Sequence, residues 1–131
     1  MKNRKPLPAI ALIAGGSGDR ELLSVRAAAM LDQAEVVVCD PEVAALLSGS
    51  DAEVLDLPTA PTDAAAVAKA LVEQARAGRH AVRLFAGDPI ADGRVIAEAK
   101  ALHRSKVPFE ILPSAADVSG IAAYAGIGLV G

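Results

Sequence analysis

His80-Ala81-Val82-Arg83-Leu84-Phe85-Ala86-Gly87-Asp88-Pro89-Ile90-Ala91-Asp92-Gly93-Arg94 is the stretch on which the reading of this chain turns. It opens as an apolar run with one charge inside it, of strand length and β-branched character. It then breaks at Ala86-Gly87-Asp88-Pro89. A strand that ends this way brings a small residue, a carboxylate and a fixed φ angle to one spot. In an open parallel α/β sheet, ligands bind in the crevice beyond the carboxyl ends of the strands. Gly, Asp and Pro are equally the residues of an ordinary turn. A second loop of small residues near the start of the chain, Gly15-Gly16-Ser17-Gly18-Asp19, favours the binding reading.

Outward from that stretch, strands and helices alternate. Pro8 to Ala14 reads as a continuous apolar strand buried on both faces, as in a parallel sheet. Arg20 to Ala34 carries Leu22, Leu23, Val25, Ala29, Met30 and Ala34 at helical spacing, with Asp19 or Gly18 at its start. Glu35 to Cys39 is a second strand, Pro41 to Leu47 a short helix with proline in its first turn, and Glu53 to Leu57 a weaker third strand. Pro58 to Pro61 is an irregular crossing segment. Thr62 to Ala77 is a helix capped by Thr62 or Asp63 and stopped by Gly78. The strand His80 to Phe85, a helix from Asp92 to Ser105, the strand Pro108 to Leu112, a loop from Pro113 to Asp117 and a helix from Val118 to Ala125 complete the chain. Five β-loop-α repeats predict one doubly wound, mainly parallel five-stranded sheet with helices on both faces. The loops after strands one, two, four and five can converge on one crevice.

Composition narrows the function. The 131 residues suggest a single α/β domain, and an apolar, Gly-rich end without a charged tail suggests half of something longer. Aromatic residues make up 2% of the chain, so alanine and valine must fill the core, and the stacking platforms of single-stranded nucleic-acid binders are missing. A net charge of −3 gives no basic footprint, so no nucleic-acid partner is expected. One cysteine, Cys39, excludes an internal disulfide and a four-cysteine metal site. The apolar run Ala9 to Ala14 is too short for a signal-peptide core or a membrane span. A cytoplasmic protein without membrane attachment is the expectation.

Four loops carry candidate chemistry. In the first, Gly16 and Gly18 supply two glycines of a dinucleotide fingerprint and Asp40 a ribose-binding acid, but Glu21 occupies the third glycine's place. The Asp19 carboxylate would also oppose a pyrophosphate there. In the second, Asp40 ends a strand and is either a general base or substrate-orienting group, or a helix N-cap. Cys39 reads as a small buried hydrophobe, and His80 and His103 as surface residues. In the third, Arg94 beyond Ala86-Gly87-Asp88-Pro89 suits an anionic substrate group, against the plainer reading of a solvated arginine at a helix start. In the fourth, the small side chains of 113–117 would line a pocket.

Taken together these loops resemble the N-terminal domain of the tetrapyrrole methylase family, and more narrowly the uroporphyrinogen-III C-methyltransferases. The resemblance is collinear over nearly the whole chain. It is strongest in IALIAGGSGDRELLSVRAAAMLDQAEVVVCD (10–40), AVRLFAGDPIADGRVIAEAKALHRSKVPFEILP (81–113) and AYAGIGL (123–129). It implies a two-domain, homodimeric enzyme in which S-adenosylmethionine lies between the domains, with no metal, and is left as S-adenosylhomocysteine after its methyl moves to a ring carbon of the tetrapyrrole. This chain, residues 1–131, would be the N-terminal half, without the C-terminal domain. Carried over by position, Ser17, Ala86, Gly87, Asp88, Ala91, Ala116 and Asp117 would contact the cofactor, Asp40 stands where the family has a proposed proton acceptor, and Arg94 remains the substrate-anion candidate.

The chain departs from the family at several of these places. Ser17 replaces the first loop's proline, and Cys39 and Pro41 replace the Tyr and Arg beside the acid. Phe85 and Ala86 replace a basic residue and a glycine, and Ser114 and Ala116 replace Gly and Thr. Asp117 adds a carboxylate, and Leu57-Pro58-Thr59 fills the stretch where the family has a lysine proposed as proton donor. These changes define an alternative: a methylase-like domain without catalysis, kept for assembly or fused to another tetrapyrrole enzyme. A dinucleotide-binding domain is the third reading.

Overall fold

The computed structural model describes residues 7–57 and 63–113. Five strands, β1 (Ile10–Ala14), β2 (Val36–Cys39), β3 (Glu53–Val54), β4 (Ala81–Phe85) and β5 (Phe109–Leu112), form one sheet in the order β3-β2-β4-β1-β5. Every pairing is parallel, and β1 runs beside β4 from Ile10 opposite Ala81 to Ala14 opposite Phe85. Among the described residues three α-helices, α1 (Val25–Gln33), α2 (Ala64–Arg76) and α3 (Arg94–Ser105), cover the sheet.

The strand order fixes which face each helix takes. The crossover from β1 to β2 runs toward the β3 edge, whereas those from β3 to β4 and β4 to β5 run the other way. Right-handed crossovers of opposite direction must lie on opposite faces. Accordingly α1 packs Ala27, Met30 and Leu31 against Ala11, Ile13, Val37, Val82 and Leu84. On the other face, α2 and α3 bring Val67, Leu71, Val95 and Leu102 onto Ile10, Leu12, Val36, Val38, Ala81 and Phe85. All five residues of β1 and of β4 are buried, which is why both read as near-continuous apolar runs. The seam between β1 and β4 separates the two directions of winding, and such a switch point opens a crevice at the strands' carboxyl ends.

Several boundaries differ from the sequence reading. The helix expected from Arg20 to Ala34 is two pieces: a 3-10 turn at Arg20–Leu22, then α1 from Val25. The cause lies in two capping residues. Asp19 accepts from the Glu21 amide, and Ser24 Oγ accepts from the Ala27 amide at 3.0 Å, so the helix restarts after Ser24. Leu22 and Val25, counted toward the helical face, are 45% and 89% exposed. The third strand shortens to Glu53–Val54, and the helix expected from Asp92 begins at Arg94, after Gly93 turns at φ +85°. Asp63, not Thr62, caps α2 by accepting from Ala66. The helix expected over 118–125, the crossing segment 58–61 and the site residues Ala116 and Asp117 lie outside the described residues. Among the described residues no helix is long and apolar enough to cross a membrane.

Candidate functional site

The first and third loops meet at the β1–β4 seam. The Gly15 amide donates to the Phe85 carbonyl at 2.7 Å, extending the β1–β4 ladder by one bond. The chain then turns, and the Gly87 amide donates to the Gly16 carbonyl at 2.9 Å in an antiparallel bridge. Only glycine fits this approach: a Cβ on Gly15 would stand 2.9 Å from the Phe85 carbonyl oxygen. Gly16 and Gly87 turn at φ +57° and +70°, a conformation side chains disfavour. Beyond the bridge, Asp88 folds back to accept from the Ala91 amide at 3.2 Å. Ser17, Gly87, Asp88 and Ala91 are exposed at this rim, Ala86 is half-buried just below, and open space lies where a Gly87 Cβ would point.

Under the rim lies a cluster of buried charge. Asp40, at the end of β2, is 5% exposed. It holds the N-cap position of the 3-10 segment Pro41–Leu47, but its side chain caps nothing there. The Asp40 amide continues the sheet by donating to the Leu84 carbonyl, and its carboxylate turns toward β4. Oδ1 pairs with Arg83 Nη1 at 2.9 Å. Oδ2 accepts from Arg94 Nη1 at 2.7 Å and from the Ala86 amide at 2.8 Å. Arg94 also donates from Nη2 to the Ala86 carbonyl at 2.5 Å and from Nε to Asp92 at 2.9 Å. Hydrogen bonding to Asp92, then to Asp40, holds the Arg94 guanidinium above its ordinary range, and the same bond lowers Asp92. Below them Arg83, 1% exposed, donates from Nε to Glu98 of α3 at 3.1 Å. Phe85 gives the face of its ring to Arg83 at 4.2 Å, so an aromatic here still serves a cation.

The structure thus brings Asp40, Ala86 and Arg94 into direct contact and sets Gly87 on the same loop. Ser17 sits across the Gly16–Gly87 bridge. Arg83 and Glu98 were not among the expected site residues. The signal for Arg83 was a charge in the middle of a buried strand, which demands a partner; nothing local marked Glu98. Burial pushes the Glu98 carboxyl up to about 7 against the opposing pull of Arg83. Burial likewise raises the Cys39 thiol to about 11, with the Asp40 charge adding to it. A dinucleotide site finds no support: a 3-10 turn, not a helix N-terminus, follows the glycine loop, so no aligned helix dipole awaits a pyrophosphate.

The sequence profile of the tetrapyrrole (corrin/porphyrin) methylases matches residues 9–131. A siroheme synthase of Pseudomonas fluorescens is 38% identical over 125 residues, which is 90% of this chain and 27% of that protein. A uroporphyrin-III-C-methyltransferase from Thermus thermophilus superposes with a TM-score of 0.70 at 34% identity, over 93% of this chain and 54% of the other. A structure of the Thermus enzyme complexed with S-adenosylhomocysteine gives 0.66 at 33%, over 80% and 44%. The chain therefore spans about half the length of these solved structures and about a quarter of the curated relative.

Proposed function

This chain belongs to the tetrapyrrole (corrin/porphyrin) methylases, and from that premise we propose that it is the N-terminal half of a two-domain, homodimeric methyltransferase acting on uroporphyrinogen III or a closely related reduced tetrapyrrole. The observation that carries the reading is the meeting of the first and third loops at the β1–β4 seam, closed by the Gly16–Gly87 bridge. The residues present suit the cofactor: an exposed rim of Ser17, Gly87, Asp88 and Ala91, with open space over Gly87, lets a bulky ligand come up to the backbone. Ala86, Ala116 and Asp117 complete the proposed set. S-adenosylmethionine would supply an electrophilic methyl on sulfonium. The chain's own contribution is to bind and orient, which suits a rigid loop better than a mobile one. The resemblance gives Asp40 a proton acceptor's place, and Arg94's position beyond the third loop suits an anion binder; in this chain each is committed to the other.

The test is a calorimetric titration of S-adenosylhomocysteine into the longest native polypeptide carrying these residues. Micromolar binding, roughly −8 kcal/mol, is expected. No detectable binding would overturn the reading and favour a methylase-like domain kept for assembly.

A further inference from the structure

We infer that Asp40 and Arg94 are positioning residues that act as a pair: together they grip the Ala86 backbone at its N–H and its C=O and hold the Ala86-Gly87 loop in shape, Asp40 taking no proton and Arg94 binding no substrate anion. The grip is a property of this chain; its service to a cofactor rests on the methyltransferase reading above.

The geometry assigns each atom a task. Asp40 Oδ2 accepts from the Ala86 N–H, while Arg94 Nη2 donates to the Ala86 C=O. The two side chains are tied at 2.7 Å, so one ion pair satisfies the donor and the acceptor of one residue. This geometry opposes both the proton acceptor's role that the resemblance gives Asp40 and the anion-binding role read from Arg94's position. A general base needs a lone pair aimed at the proton it removes. Both Asp40 oxygens are engaged by guanidinium groups, in a side chain 8% exposed. Taking up a proton would break into a buried network, where removing one partner strands the others. An anion-binding arginine offers two parallel N–H bonds from one edge of its fork. Arg94 has committed Nη1 to Asp40, Nη2 to Ala86 and Nε to Asp92, so no edge is free to meet a substrate in that way. Arg83 supports the pair from below. It pairs with the other Asp40 oxygen and is itself held by Glu98. The next amide, Gly87, is spoken for by Gly16, so consecutive peptides of the loop are fixed from two directions.

The experiment compares wild type, Asp40→Asn, Arg94→Ala and the double variant of the longest native polypeptide carrying these residues. Amide hydrogen exchange is read at Ala86 and Gly87, S-adenosylhomocysteine affinity by calorimetry, and methyl transfer to uroporphyrinogen III as kcat and KM. Each single variant is expected to speed exchange at the two amides by about tenfold or more, the worth of a charged hydrogen bond. Each should weaken S-adenosylhomocysteine by a similar factor, and the double variant should be no worse than the poorer single one. Arg94 is part-exposed at the loop, so its variant keeps the fold, which a thermal melt verifies. Two results overturn the inference. One is Arg94→Ala with wild-type exchange and only a raised KM for the tetrapyrrole, which makes it an anion binder. The other is Asp40→Asn with wild-type exchange and cofactor affinity but no kcat, which makes it the proton acceptor. A wild type that binds no S-adenosylhomocysteine refutes the methyltransferase reading instead, and the exchange rates still decide the grip.

Discussion

Replacing Glu98 with Gln removes an acid from a place where its charge is costly and leaves its shape in place. The side chain sits on α3 facing Arg83, and the residue is 2% exposed. Oε2 has the Arg83 guanidinium at 3.1 Å, while Oε1 is buried with no hydrogen-bond partner among the described residues. Desolvation therefore dominates, and the carboxyl moves from its ordinary 4.5 to about 7. A proton held more tightly by the folded state stabilises it. That contribution is complete below about pH 4.5 and is lost as pH rises through about 7. The whole displacement corresponds to about 3 kcal/mol. Glutamine has nothing to titrate, so Glu98→Gln gains on the wild type by about that amount between pH 4.5 and 7.5. In melting temperature the gap should move by about 10 °C for a chain of this size. Paired urea or thermal unfolding series across that window give the difference directly, because every other titrating group is shared. A gap that stays constant with pH would refute the reasoning: Arg83 would then compensate the charge fully.

The close approach of Gly15 makes a second expectation. Gly15→Ala puts a Cβ 2.9 Å from the Phe85 carbonyl oxygen and 3.0 Å from Leu46 Cδ1, and should cost about 1–3 kcal/mol in urea unfolding. An unchanged midpoint would mean the two loops part easily. A third concerns Cys39, whose thiol lies near 11. At pH 8 it should react with iodoacetamide about a hundredfold slower than a free cysteine, and labelling at the free-thiol rate would contradict its burial.

The fold was legible because its strands are buried on both faces: β1 announces itself as an unbroken apolar run and β4 as one interrupted only by Arg83. Helix ends were less so. Periodicity carried the expected helix through Leu22 and Leu23, but the hydroxyl of Ser24 and the carboxylate of Asp19 were better capping partners than interior residues. That Asp40 and Gly87 lie just beyond strand ends, with Arg94 following at a helix start, was legible in the sequence. How they engage was not. Asp40 reaches 46 residues along the chain to the Ala86 amide and 54 to Arg94, and no local pattern encodes such distances. Glu98 shows the same limit more sharply. On the helix it looks like any exposed charge, and only the crossover that lays α3 over β4 puts it against Arg83.

The Ala86 grip has a consequence for what this position will tolerate. The pair reads the backbone N–H and C=O of residue 86, which every residue but proline offers, and ignores the side chain. Among the described residues only Lys106 combines a side chain with a positive φ, so Ala86 adopts an angle open to ordinary residues. Glycine is required next door at Gly87, where φ is +70°, and not here. The family's glycine could therefore drift to alanine without disturbing the scaffold. Evolution at 86 is free to change the side chain at the loop while the main chain beneath it stays where it was.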